Sequence, residues 1–228
     1  MQRFNTFNMI HKALRALLYD TALTIQQTYF GNEQEARDTL RKIETVIDQF
    51  EQHAHHEDTF VLPMISAYEP TLVDQFEKEH VEDHRIGEQL AHLVNIFKAA
   101  SGEEERMIAG SGLSKAFTDF MIFNLEHMAK EERVLNPVLW SYYSDEQLLE
   151  MNGRIVAGIP AAEKAVSSKW MMRGINNREA IQWLKAVKHH APEHEFRALW
   201  TLADSELPVH RRIAVKEGVL EQAAAFVY

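Results

Sequence analysis

The sequence predicts an all-α fold, an up-down-up-down four-helix bundle followed by a C-terminal helical extension. Three observations lead there. Glycine and proline are scarce, with 9 and 6 copies in 228 residues, so the chain turns rarely. Apolar residues recur at steps of three and four through four long segments before residue 142. The breaks between those segments are short, which makes sequence neighbours antiparallel neighbours in space.

The first segment runs from about Phe4 to Tyr29 with the seam Phe4, Phe7, His11, Leu14, Leu18, Thr21 and Ile25, and Gly31-Asn32 breaks it. The second runs from about Glu33 to Ser66 with Ile43, Val46, Phe50, His53, Glu57, Phe60 and Met64, and Glu69-Pro70 marks the next joint. The third runs from about Thr71 to Ala99 with Val73, Phe76, His80, His84, Gly87, Ala91 and Val94. It contains two four-residue steps in a row, a small irregularity of register. Ser101-Gly102 and Gly110-Ser111-Gly112 loosen the third connection. The fourth segment ends near Tyr142 with Leu113, Phe117, Phe120, Asn124, His127, Glu131, Val134 and Val138.

Residues 1–142 are thus read as the bundle and 143–228 as the extension, packed on the bundle or forming an oligomer surface such as a homodimer contact. Ser144 to Gln147 has the pattern of a capping box. Pro160 and Gly174 to Asn177 mark breaks, and Arg178 to His190, Glu193 to Ala203 and His210 to Phe226 are amphipathic. Trp170, Trp183 and Trp200 supply bulky packing groups, and nothing in this third of the chain has ligand spacing.

Composition removes whole classes of function. The net charge is −10 with no basic stripe, so neither nucleic acid nor an anionic membrane is an expected partner. There is no cysteine, which excludes disulfides, thiolate metal sites and cysteine nucleophiles. No stretch is apolar for long enough to span a bilayer, and the N-terminus lacks the apolar core of a signal peptide. A cytoplasmic protein is expected.

The polar residues in the seams carry the function. His11, His53, Glu57, His80, His84, His127 and Glu131 all stand where the pattern asks for apolar side chains. A buried charge or unpaired imidazole is costly, and seven together need a common explanation. A metal centre supplies one. His53 with Glu57, His80 with His84 and His127 with Glu131 are i, i+4 pairs, each pointing from one helix face. Imidazole nitrogen with carboxylate oxygen suits iron and, less selectively, zinc or manganese. The heights agree too. His11 lies 20 residues before Gly31 and His53 lies 22 after it, so both sit roughly 30 Å along antiparallel helices.

An internal repeat reinforces the pairing. His53, Glu57, Asp58 and Pro63 fall at the same offsets as His127, Glu131, Glu132 and Pro137. The second and fourth helices are therefore read as equivalent halves of one site, each with a proline that ends or kinks its helix beyond it. Other patterns fit poorly. A ferritin-like site needs Glu-x-x-His on two helices, and Glu77 with His80 is the lone example before residue 142. A zinc-protease helix needs His-Glu-x-x-His, and His80-Val-Glu-Asp-His84 misplaces its acids. His55, His56 and His92 lie off the seams, with His56 the best of them as a substitute or supporting ligand. Asp58 is read as an outer acid.

A lone histidine, then HxxxE, HxxxH and HxxxE in that order, resembles the hemerythrin family, especially its HHE cation-binding branch, over residues 4–142. The resemblance implies two non-haem irons joined by a solvent-derived oxo or hydroxo bridge. His80, His84 and His127 are then implied ligands of one iron and His11 and His53 of the other, with Glu57 and Glu131 bridging. The iron with two histidines keeps an open position for dioxygen, nitric oxide or peroxide. Oxygen-carrying members place an aspartate five residues after the last histidine. Here Glu131 stands at four and Glu132 at five, so both remain candidates for that bridge. Three functions share this ligand set. One is a protein that binds dioxygen or nitric oxide for sensing, storage or scavenging. Another is a di-iron enzyme acting on peroxide or nitric oxide, or in iron–sulfur cluster repair. The third is a helical interaction module with a structural metal.

Overall fold

The computed structural model describes residues 3–221 and is helical throughout, with no strand among them. The bundle consists of α1 (Asn8–Gln27), α2 (Glu33–His56), α4 (Pro70–Ala99) and α5 (Glu103–Tyr142). A π-helical turn (Glu57–Val61) and the short α3 (Leu62–Ser66) continue α2 towards the second joint. The four long helices pack in a closed ring, α1 on α2, α2 on α4, α4 on α5 and α5 on α1. With their short links this is the up-down-up-down order. The extension follows as α6 (Asp145–Gly158), α7 (Ala161–Gly174), α8 (Asn177–His190), α9 (Glu193–Glu206) and α10 (Val209–Leu220). The end of the segment read to Phe226 lies outside the described residues. No helix among the described residues is long and apolar enough to cross a membrane.

Local chemistry sets the helix starts. The Asn5 side-chain oxygen accepts from the backbone N–H groups of Phe7 and Asn8, so α1 begins later than the apolar periodicity at Phe4 suggests. Asn32 caps α2, and Ser144 with Gln147 and Asn176 with Glu179 form capping boxes at α6 and α8. Pro160, Pro192 and Pro208 stand immediately before α7, α9 and α10.

Three expectations are corrected. Gly110-Ser111-Gly112 is not a joint, because α5 starts at Glu103 and runs through it. Gly110 is needed there for packing, since a Cβ would collide with the Phe30 ring. Pro137 does not end its helix, and α5 continues to Tyr142. Pro137 and Arg133, whose carbonyl loses its partner, are both exposed, so water takes the place of the missing N–H. After Glu57 the π-helical turn adds a residue, and the buried seam becomes Val61, Leu62 and Ile65 instead of Phe60 and Met64.

The extension is anchored to the bundle. Trp170 on α7 is buried in the same apolar core as Leu14, Leu17 and Leu18 of α1. α7 approaches so closely that a Cβ on Gly174 would strike the Lys12 carbonyl. That atom belongs to a helix backbone and cannot swing aside. Gly174→Ala should therefore destabilise the protein by about 2 kcal/mol, through overpacking, in a urea melt. Met172 of α7 joins Leu184, Leu199 and Val215 in a separate small core that holds α8, α9 and α10 to α7.

Candidate metal centre

Six of the seven seam residues converge inside the bundle, two of them on α5 and the rest on α1, α2, the π-helical turn and α4. They form two groups, His11, His53, Glu57 and Glu131, and Glu57, His80, His127 and Glu131. In each group one donor atom per residue lies within 4.8 Å of all the others. The two carboxylates belong to both groups. Glu57 points Oε1 at His53 Nε2 (3.2 Å) and His11 Nε2 (3.8 Å), and Oε2 at His80 Nε2 (3.3 Å). Glu131 points Oε2 at His11 Nε2 (3.3 Å), and Oε1 at His127 Nε2 (2.9 Å) and His80 Nε2 (3.8 Å). Each acid thus offers one oxygen to each histidine pair.

These atoms have nothing else to bind. Seven of them, Nε2 of His11, His53 and His80 and all four oxygens of Glu57 and Glu131, are buried without a hydrogen-bond partner among the described residues. Leaving a buried polar atom unsatisfied costs about 1–3 kcal/mol. Seven such penalties rival the roughly 5–15 kcal/mol net stability of a whole domain. The donor set is two nitrogens and two oxygens per group, directed at common points, and it fits a pair of divalent or trivalent cations.

The other face of the imidazoles is tied down by outer carboxylates. His80 Nδ1 donates to Asp58 at 2.6 Å, His11 Nδ1 to Glu132 at 2.9 Å and His127 Nδ1 to Glu79 at 2.9 Å. An ionised carboxylate only accepts, so these bonds fix the proton on Nδ1 and aim the Nε2 lone pair inward when the ring is neutral. Glu132 also takes a bond from Arg15 (2.8 Å), and Lys130 pairs with Glu79. Glu132, an alternative bridge on sequence grounds, is therefore committed outward, and Glu131 faces the cluster. Asp58 and Glu132, at the same offset in the internal repeat, perform the same task on opposite sides. Each steadies a histidine of a neighbouring helix.

Electrostatics follows from this crowding. Burial opposes protonation of His11, but Glu131, Glu132 and Glu57 outweigh it and raise its pKa to about 10. His80 rises to about 11, with burial again outweighed by Glu131 and Glu57. His127 is raised in the same way. His53 has no such excess of acid, and burial drives it down to about 4. Glu131, although its burial opposes ionisation, is held well below the usual carboxylate range by His11, His127 and His80.

His84 does not join them. Its side chain is 58% exposed and faces Glu88 (3.4 Å) and Glu51 (3.9 Å) on the surface. The buried positions of α4 are Val73, Phe76, His80, Asp83, Gly87, Leu90, Val94 and Phe97, an unbroken alternation of three and four. His84 is one residue out of that register, and Asp83 occupies the inward place. Asn124 Nδ2 donates to Asp83 Oδ1 at 2.7 Å, a buried pair one helical turn from His80. Burial raises the Asp83 pKa against that bond. His84→Ala should leave metal content per chain unchanged by elemental analysis, whereas His80→Ala should lower it.

The sequence profile of the Hemerythrin HHE cation binding domain matches residues 4–139. The chain belongs to this family. The matched stretch ends at Leu139, within the last turn of α5 and before the extension. Among curated proteins, the F-box/LRR-repeat protein 5 of Mus musculus is 21% identical over 153 residues, covering 67% of this chain and 21% of that protein. Its Danio rerio counterpart is 20% identical over 210 residues, covering 90% and 30%. A zinc finger protein BRUTUS-like of Arabidopsis thaliana is 21% identical over 222 residues, covering 93% and 17%. The HHE chain thus spans about a sixth to a third of the length of these relatives, and the longer alignments reach into its C-terminal helices.

Proposed function

We propose that the chain is a non-haem di-iron protein that takes up a small ligand, dioxygen or nitric oxide, for sensing, storage or scavenging. The observation that carries this reading is the sharing of two carboxylates between two histidine pairs. His11 and His53 would hold one iron, His80 and His127 the other, and Glu57 and Glu131 both. Two irons held there would supply coordination positions for a small ligand, because four protein donors leave a six-coordinate ion incomplete. With His84 on the surface this holds for both irons alike.

The chain's own part is preparation. Asp58, Glu132 and Glu79 hold three imidazoles in one orientation, which keeps metal affinity high without rearrangement. Phe7 packs on His11, and Phe76 and Phe123 pack on His127, which limits how far these rings can swing. That the relatives are several times longer, with F-box, LRR-repeat or zinc-finger parts in their names, supports a reporting role over bulk storage. The test is elemental analysis of protein from iron-supplemented cells, with absorption spectra of the reduced anaerobic sample before and after gas. About two irons per chain with a reversible spectral change supports the reading. Two irons with irreversible change favours an enzyme acting on peroxide or nitric oxide, and an intact fold that takes up no iron overturns the di-iron reading.

A further inference from the structure

We propose that α6 and α7 complete a ligand pocket on the His53 side of the centre. Its occupant is a small uncharged organic molecule, mainly apolar, with one hydroxyl or carbonyl group. The proposal rests on the metal reading for its floor alone, since its walls are formed by the chain. A cavity of about 270 Å³ lies between bundle and extension, with Phe7, Ile10, His53 and Glu57 on one side and Ile155 and Met171 on the other. A larger cavity of about 840 Å³ runs on between α6, α7, α8 and α9, and Asn152, Val156, Lys164, Ser168 and Trp183 wall both. The two cavities adjoin along those five residues, and the inner one reaches His53 and Glu57 of the metal cluster.

Size and charge select the occupant. A dry cavity of about 150 Å³ holds benzene, so the inner chamber alone is larger than a diatomic gas requires. Walls that are mainly apolar repay little of a charged ligand's lost hydration. Glu163, 3.7 Å from His56, and Lys164 reach the chamber with opposite charges, so its wall favours neither sign of ligand, and Glu57 belongs to the metal cluster. Hydrogen-bonding capacity remains in the wall at Thr6, whose hydroxyl is buried without a partner, and at the buried Gln49. A few convergent polar groups in an apolar cavity are the usual make-up of a small-molecule site. The His80 side is different, a groove of about 770 Å³ bordered by Glu51, Asp58, Glu77 and Glu88.

The probe is p-cresol, with benzoate and benzylamine as charged controls, titrated into the full chain with and without metal by calorimetry and ligand-observed NMR. One p-cresol per chain should bind with a Kd below about 1 mM, and the charged controls at least about tenfold more weakly. Ser168→Trp, which plugs the wall common to both cavities, should weaken p-cresol about tenfold while metal content and melting temperature hold. Val156→Trp is the second plug, at a position 40% exposed that accepts bulk without disturbing the core. Absence of binding, equal binding of benzoate, or binding unmoved by either plug overturns the pocket. A chain that binds p-cresol but loads no metal keeps the pocket and loses the metal reading. A chain that loads metal but ignores p-cresol does the reverse.

Discussion

Glu131→Gln should remove both metals at once, reducing the content from about two ions per chain to well under one. Glutamine keeps the shape and leaves a single neutral oxygen where two charged ones faced the two histidine pairs. Because Glu131 serves both groups, neither keeps its donor set. His53→Ala should behave differently, because the group of Glu57, His80, His127 and Glu131 does not contain His53. It should halve the content and no more. Glu57→Gln should follow Glu131→Gln. Elemental analysis, with circular dichroism to show that the helices persist, separates the two patterns. If Glu131→Gln retained one full metal, the carboxylate would belong to one group alone and the shared-acid geometry would be wrong.

Most of that geometry was legible from spacing. The i, i+4 pairs His53 with Glu57 and His127 with Glu131 stand on faces that also carry Val46, Phe50, Phe117 and Phe120, and all of these are buried. An amphipathic seam reports its buried face whatever residue occupies it, so polar residues found on it are buried polar residues. His84 shows the limit. A histidine four residues after His80 matches the pairs of the second and fourth helices, but placing it in the seam requires two four-residue steps in a row. The regular alternation through Asp83, Gly87, Leu90 and Val94 was the better guide, because helix geometry enforces it and residue chemistry does not.

The π-helical turn left no such trace. Phe60, Val61, Leu62, Met64 and Ile65 are all apolar, so a shift of one residue exchanges one good seam for another. Asp58 and Glu132 were visible as the second acids of the internal repeat, yet their target histidines sit on other helices, 22 and 121 residues away in sequence. Glu79 carried no signal, being one of several acids around His80. The cavity between bundle and extension was out of reach for a related reason. It is made by how α7 lies on α1, and periodicity reports which face of a helix is buried but not what it leaves unfilled.

Removing metal should change how stability depends on pH, and the direction follows from the histidines. In the metal-free fold His11 and His80 keep their protons to pKa values of about 10 and 11. Both exceed the unfolded value of 6.5. Their stabilisation is fully present below pH 6.5 and is lost as pH rises towards 10 and beyond, by about 1.4 kcal/mol per pH unit for each group. His53 works the other way. Its folded pKa is about 4, so the unfolded chain binds that proton first and stability falls as pH drops from 6.5 to 4. Chelated protein should therefore be most stable near neutrality in urea melts and weaker at pH 9 and at pH 5. A cation replaces the inner protons of His11 in one group and His80 in the other. The loaded chain should then lose the alkaline decline, and loading should release at least about one proton per metal, read as a buffer-dependent heat of binding. Affinity should rise about tenfold per pH unit between roughly pH 7 and 9. Chelated and loaded chains with parallel pH profiles would mean that these histidines do not exchange protons for metal, and the cation would have to be held elsewhere.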